Sequence, residues 1–383
     1  KILNSGDFLS KSNINENTTS KLLAKEISEK ALRYDLTVPF ARFVVNNKNK
    51  ITFPFKRYQM QNVWRADRPQ KGRFREFYQC DADVIGSKSL LNEIELIQLC
   101  DDIFTDLRVP NIKVLINNRK ILAAMIEMMS ASEFFDDFVI ILDKIDKIGL
   151  QKVEEELIKI GVQKNKLNLL NKFLNITDID KLTELLGDSK LGILGVQELR
   201  FIMKNIQNLN LKNSELKFDI SLARGLDYYT GSILEVKSKD LNIGSIAGGG
   251  RYDDLTSVFG LNDISGVGIS FGIDRIYLVM EELDLFPKNI DIFTKVMFVN
   301  FGEKESLYCL TLLKELRDNN ISAELYPSSV KIKKQMAYAD NKGVQFVIMI
   351  GEDEIESDTL TIKNMNTGEQ NNLTLPQFIK KIS

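Results

Sequence analysis

The stretch KRYQMQNVWRADRPQKGRFREFYQCDADVIG, Lys56 to Gly86, decides how the rest of this 383-residue chain is read. Up to Trp64, and again from Phe77 to Val84, polar and apolar side chains alternate, the pattern of a half-buried strand. Between them RPQKGR, Arg68 to Arg73, carries the proline and glycine of a loop. The stretch therefore predicts a long antiparallel hairpin with a basic tip. On its return arm Gln79, Asp81 and Asp83 share one face. A polar stripe is unusual on a strand that ought to bury something, and it points to a site.

The charge is as uneven as the hairpin suggests. From Lys56 to Arg75 seven lysines and arginines face Asp67 alone, a net +6 that leaves −8 for the rest of a chain whose total is −2. Such a field attracts phosphates, and arginine suits them because its planar fork binds two oxygens at once. Arg65 lies at the end of the first arm, Arg73 and Arg75 near the tip, and Phe77 on the return can stack on a nucleobase.

Composition removes other chemistries. The chain contains no histidine, which excludes Ser-His-Asp triads, imidazole acid–base catalysis and histidine-bound metals. Three cysteines, Cys80, Cys100 and Cys309, lie far apart, so neither a disulfide framework nor a cysteine zinc site is expected, and a reducing cytoplasm fits. No apolar run is long enough to span a membrane.

Working outward, residues 1–120 mix strands with short helices, including a helical pattern from Ser87 to Thr105 and the strand NIKVLIN. Residues 121–209 carry apolar residues three and four apart and read as a helical insertion. Residues 210–287 return to strands, with helix expected from Ser270 to Leu285. Residues 288–383 follow a linker at Lys288–Thr294. They alternate strands (KVMFVN, SAELY, QFVIMI) with helices (Glu303–Asp318, Ser329–Lys342), which predicts a small parallel α/β domain.

Three further segments stand out in residues 210–287. In LKFDISLA the alternation of Leu216, Phe218, Ile220 and Leu222 reads as a strand, and counting on by two puts Arg224 of ARGLDYYTG on the apolar face. A buried cation needs partners, with Asp227 or Tyr228 as structural ones. GSIAGGGRYDDL offers Gly248, Gly249 and Gly250 for close backbone approach, while Tyr252, Asp253 and Asp254 fit either a site or a turn. SGVGISFGIDRI places Arg275 in the first turns of a helix, where free N–H groups bind anions.

Together these pieces resemble the class II aminoacyl-tRNA synthetases. The arginine-bearing hairpin is similar to their motif 2 and GVGISFGIDRI to their motif 3. LRYDLTVPFAR, ARGLDYYTG and AGGGRYDDL resemble segments particular to the histidyl-tRNA synthetase family, and KKQMAYADNKGVQFVIMIGEDE resembles that family's anticodon-binding domain. The resemblance implies an α+β fold: an antiparallel sheet flanked by helices, with the helical insertion and a C-terminal α/β domain.

It also implies an activity: ATP-dependent activation of L-histidine, then transfer to tRNA(His). Mg2+ would accompany ATP, and the protein would be a cytoplasmic homodimer with no membrane partner and no zinc. Arg65 and Arg224 would be catalytic. Arg65, Arg73, Phe77 and Arg275 would bind ATP. Asp35, Thr37 and Gln79 would hold the histidine amino group, and Asp83 and Tyr229 the imidazole, with Arg65, Arg224, Tyr228 and Tyr252 lining the same pocket. Many relatives have Glu where this chain has Asp83, one methylene longer in reach, a gap for a water or a backbone shift to close. Family members open with a motif 1 segment at the dimer interface, and KILNSGDF corresponds to a point beyond it. A non-catalytic, histidine-sensing paralogue is the competing reading. The intact arginines and the anticodon-type domain weigh against it.

Overall fold

The computed structural model describes residues 2, 15, 18–223, 228–287 and 294–382. The chain forms two compact units, Lys1–Leu285 and Phe286–Ser383.

The first unit is built on seven strands: β1 (Phe55–Trp64), β2 (Glu76–Ile85), β3 (Ile112–Asn118), β4 (Ser214–Phe218), β5 (Ser232–Ser238), β6 (Ser245–Tyr252) and β7 (Gly266–Gly272). Their order in the sheet is β1-β2-β7-β6-β5-β3-β4. Every pairing is antiparallel except β3 with β4. The hairpin forms as its alternation requires, with Phe55 opposite Ile85 and Trp64 opposite Glu76.

One face of this sheet is covered by helix. The helix Leu91–Asp106 turns Ile94, Ile97, Cys100 and Phe104 toward Val114, Ile116, Val236, Val267 and Phe271 of the strands, forming one continuous core. The same core runs into the helices between Arg119–Met128 and Lys190–Leu209, whose Ile121, Met125, Val196 and Leu199 are fully buried. The chain leaves this helical region beside Asp101, whose carboxylate accepts the backbone N–H groups of Lys212, Asn213 and Ser214 at 2.7–2.9 Å. Those three bonds aim the chain into β4.

Two boundaries differ from the sequence pattern. The strand read as running to Leu222 ends at Phe218, and residues 220–221 form a turn in which Ser221 N–H bonds Asp219 Oδ1 at 3.0 Å. Ile220, Leu222 and Ala223 are still buried, so burial continued where strand geometry did not. Arg224, with its neighbours 225–227, lies outside the described residues. The second boundary is Ser270–Gly272, read as helix but belonging to β7, with the helix running Ile273–Glu282. Short polar and glycine residues at 268, 270 and 272 hid the alternation.

The second unit holds β8 (Val296–Phe298), β9 (Ala323–Leu325), β10 (Phe346–Met349), β11 (Leu360–Asn364) and β12 (Gln370–Leu373), ordered β12-β11-β10-β8-β9. The three strands expected to be parallel are so. The antiparallel pair β11 and β12 extends them, which the sequence pattern had not revealed because β12 is mostly exposed and polar. Helices Glu303–Asp318, Ile332–Asn341 and Leu375–Ile382 bury Leu316, Ala339 and Phe378 against the unit's sheet and core. The expected linker falls almost wholly on residues 288–293, outside the described residues.

Candidate active site

Strand register builds the site. Opposed residues in a sheet point to the same face. One cross-strand row therefore runs Glu235, Gly248, Ser270, Asp81, Gln59 across β5, β6, β7, β2 and β1. Two residues along, a second row runs Gly250, Gly268, Asp83, Arg57. Of these rows Glu235, Gly248, Ser270, Asp81, Gly268 and Asp83 line the floor of a cavity of about 800 Å³ on the face away from the Leu91–Asp106 helix. Glycine is required in the floor at 268, where a Cβ would stand 2.0 Å from Asp83 Oδ1.

One end of the cavity is acidic. Asp35, Asp81 and Asp83 are buried there, with Arg57 packed among them. Asp83 is tied on both sides: Tyr252 donates its hydroxyl to Oδ1 at 2.7 Å, and Arg57 Nη2 lies 2.9 Å from Oδ2 as an ion pair rather than an aligned hydrogen bond. Arg57 is fixed in turn by the Phe40 ring, 4.1 Å from its guanidinium carbon, and by the Gln59 amide oxygen at 2.8 Å. Asp35 accepts Val38 N–H and the Tyr228 hydroxyl, both at 3.4 Å. The Tyr228 and Tyr229 rings meet edge-on at 4.8 Å.

Burial sets the protonation of this end. It raises the Asp35 carboxyl against the pull of Val38 N–H, Arg65, Tyr228 and Arg57. It raises Asp83 against Arg57 and Tyr252. Asp81 is pushed up to about 7, first by burial and then by the Asp83 charge, with only Ser270 and Arg57 opposing. Burial likewise keeps the Tyr228, Tyr229 and Tyr252 hydroxyls neutral and able to donate.

The other end is cationic and sits under the hairpin tip. Arg65 is held between the Tyr34 ring at 4.5 Å and the Phe77 ring at 5.2 Å, and its Nε donates to the Tyr34 carbonyl oxygen at 3.3 Å. Arg73 pairs with Asp67 at 3.0 Å and remains largely exposed. Arg275, in the first turn of Ile273–Glu282, donates to the carbonyl oxygens of Gly72 at 2.6 Å and Ser245 at 2.7 Å, stapling hairpin tip to helix. An elongated ligand with a cationic head and an anionic tail matches this polarity.

Asp35, Thr37, Arg65, Arg73, Phe77, Gln79, Asp83, Tyr228, Tyr229, Tyr252 and Arg275 all line this one cavity. Arg75 does not: its Nε donates to the Asp67 carbonyl oxygen at 3.3 Å, bracing the hairpin tip. Asp253, which fitted either a site or a turn, accepts the Thr230 hydroxyl at 2.7 Å and is structural. Sequence reasoning gave no role to Arg57, Asp81, Glu235 or Ser270. For Asp81 the signal was present, since alternation placed it on the face of Gln79 and Asp83. For Arg57, Glu235 and Ser270 it was not, because only strand pairing brings them there.

Known proteins resemble this chain in sequence and fold. The family model for histidyl-tRNA synthetase matches residues 5–276, and that for an anticodon binding domain matches residues 295–383. A histidine–tRNA ligase from Christiangramia forsetii is 52% identical over 97% of this chain and 84% of its own length. One from Flavobacterium johnsoniae is 50% identical over 97% of this chain and 83% of its own. Among solved structures, a histidyl-tRNA synthetase from Nostoc superposes with a TM-score of 0.76 at 30% identity, over 92% of this chain and 83% of that one. A Bacillus halodurans protein, described as an ATP phosphoribosyltransferase regulatory subunit/histidyl-tRNA synthetase, shares the fold at a TM-score of 0.66 and 22% identity, over 83% of this chain and 79% of that one.

Proposed function

The chain belongs to the histidyl-tRNA synthetase family, and from that premise we propose that it activates L-histidine with ATP and passes the histidyl group to the 3′ end of tRNA(His). In the first step a histidine carboxylate oxygen bonds to the α-phosphorus as the bond to pyrophosphate breaks. The observation that supports this reading most directly is the two-ended cavity, in which carboxylates and tyrosines face the head of the ligand and arginines its phosphates.

At the acidic end, Asp35, Thr37 and Gln79 take the histidine amino group. Asp35 sits where an ammonium would restore its ionised form against the burial that raises it. Tyr229 faces the imidazole. At the cationic end Arg65 bridges the amino-acid carboxylate and the α-phosphate, leaving its place between Tyr34 and Phe77, so that adenine can take the Phe77 face. Arg73 and Arg275 hold the β- and γ-phosphates. Arg224 completes the charge on the α-phosphate. Activation needs positioned reactants and fixed cations more than a base, which suits a chain without histidine. A phosphate oxygen of the adenylate then serves as proton acceptor when the tRNA ribose attacks.

Among the described residues no three carboxylate or thiol groups converge to hold a metal. A magnesium ion brought with ATP would be carried on the nucleotide phosphates. Among the described residues no helix is long and apolar enough to cross a membrane. A cytoplasmic homodimer, with the catalytic region interrupted by a helical insertion at 121–209 and followed by an anticodon-binding domain at 288–383, completes the reading.

Histidine-dependent exchange of pyrophosphate into ATP tests it. Exchange that requires histidine is the expected result, and Arg224→Ala should slow it by about 100-fold, the scale of removing one donor to developing charge. Histidine binding without exchange would favour a sensing role instead.

A further inference from the structure

A buried cation holds the acidic end of the cavity together without lining it. The Arg57 side chain, 9% exposed, stands opposite Asp83 across the β1–β2 pair and is not among the cavity-lining residues. Its Nη1 donates to the Gln59 amide oxygen at 2.8 Å. Its Nη2 donates to the Leu36 carbonyl oxygen at 3.3 Å and lies 2.9 Å from Asp83 Oδ2. Leu36 stands between Asp35 and Thr37, and the Phe40 ring against the guanidinium belongs to the helix Thr37–Asn46. One planar group therefore joins the segment expected to hold the histidine amino group to the carboxylate expected to hold the imidazole.

The ion pair leaves that carboxylate an open valence. Asp83 Oδ1 accepts from Tyr252, whereas Oδ2, though beside the guanidinium, has no hydrogen-bond partner, and neither has Arg57 Nε. A carboxylate whose charge is balanced from one side while a lone pair stays free is an acceptor ready for a ligand N–H. Asp83 meets Arg57 from β1, Tyr252 from β6, Tyr229, and the carboxyls of Asp81 and Asp35. Arg57 is the cation of this group. It is the foremost influence opposing the burial that raises Asp83, and it opposes the rise at Asp81 and Asp35 as well.

We propose that Arg57 is the positioning residue of the histidine subsite: it fixes the spacing between the Asp35–Thr37 segment and Asp83, and it keeps Asp83 an ionised acceptor for the imidazole N–H. The inference rests on histidine being the ligand with its imidazole at Asp83. A protonated Asp83 would offer a hydroxyl in place of an ionised acceptor. Lysine at 57 could supply the charge but not the fork, being a point charge without fixed donor geometry.

The experiment is calorimetric titration of the full chain with histidine and, separately, with ATP over a series of pH values, beside thermal unfolding of each variant. Arg57→Gln should weaken histidine binding about 10- to 100-fold near neutral pH, the range for a hydrogen bond to a charged group, with ATP affinity unchanged. Without the cation the Asp83 carboxyl rises further, so its ionised form is recovered only as pH increases. The loss, read as the ratio of variant to wild type so that histidine's own titration cancels, should therefore shrink toward high pH. Arg57→Lys should keep the wild-type pH dependence and show a smaller loss that does not vary with pH. If Arg57→Gln does not fold, Gln59→Ala carries the test, since it removes one anchor of the guanidinium and leaves the charge. It should weaken histidine binding about 2- to 10-fold, the scale of one hydrogen bond, and ATP binding not at all. Unchanged histidine affinity in the folded Arg57→Gln protein, or in Gln59→Ala where that protein does not fold, would overturn the assignment. So would a loss in Arg57→Gln that no pH restores, the mark of a merely structural role. A wild type that binds no histidine would remove the functional reading itself, and this is seen before any variant is made.

Discussion

Two buried charge clusters lie on either side of strand β6, built from neighbouring residues. Arg251 turns to one face and meets Glu93, with both guanidinium–carboxylate contacts at 2.6 Å. Ser232 donates to the same carboxylate at 2.9 Å, and Arg251 reaches Ser265 Oγ at 2.6 Å and the Ser89 carbonyl oxygen at 3.0 Å. No side-chain atom of this pair is left without a partner. Tyr252 turns to the other face and meets Asp83, where Asp83 Oδ2, Asp81 Oδ1, Gln79 Oε1 and Arg57 Nε have no hydrogen-bond partner. Both clusters are buried and ionic, yet one is saturated and the other is not. Saturation marks a structural joint, here tying β6 to the Leu91–Asp106 helix, whereas open valences mark a place kept for a ligand.

The sharpest way to break that comparison is to open the saturated side. Glu93→Ala should destabilise the first unit by about 3–5 kcal/mol, since it strands a buried guanidinium, and chemical denaturation would measure it. Asp83→Asn should cost less, about 1–3 kcal/mol, because Arg57 keeps the Phe40 ring and Gln59 when the charge it faces is removed. If the two losses prove equal, the distinction between joint and site fails.

A further effect concerns pH. Asp81 faces Asp83, Asp35, Arg57, Ser270 and Tyr229, and its carboxyl is raised from 3.8 to about 7. The folded protein therefore keeps a proton that the unfolded chain releases. Its contribution to stability is complete below 3.8 and is lost as pH rises through about 7. The raised Asp35 and Asp83 carboxyls act in the same direction. The unfolding temperature of the ligand-free protein should fall across that window, and Asp81→Asn should flatten the decline. A profile identical to that of the wild type would mean that Asp81 does not titrate there. The smallest effect is the control: Lys56→Ala, which breaks a solvent-exposed pair with Glu95, should leave the unfolding temperature unchanged within error.

Much of the site was legible before any coordinates. Alternation alone put Gln79, Asp81 and Asp83 on one face of a hairpin, and the tip arginines announced a phosphate region. What periodicity could not supply was the identity of neighbours. Arg57 read as one of seven basic residues in a patch and proved to be the buried counter-ion of Asp83. Nothing in GGGRYDD separates Arg251, a structural joint, from Tyr252, a cavity residue, until β5 and β7 pair on either side.

The sequence by itself determined the hairpin and the helical stretch at 121–209, because side-chain period is a property of contiguous chain, while the family and most of the cavity residues came from the resemblance of its motifs. Tertiary structure alone decided which buried charges are satisfied. Satisfaction depends on partners brought from Glu93, Ser265, Tyr252 and Arg57, positions 14 to 169 residues from the groups they meet. Only closing the sheet brings them within 3 Å.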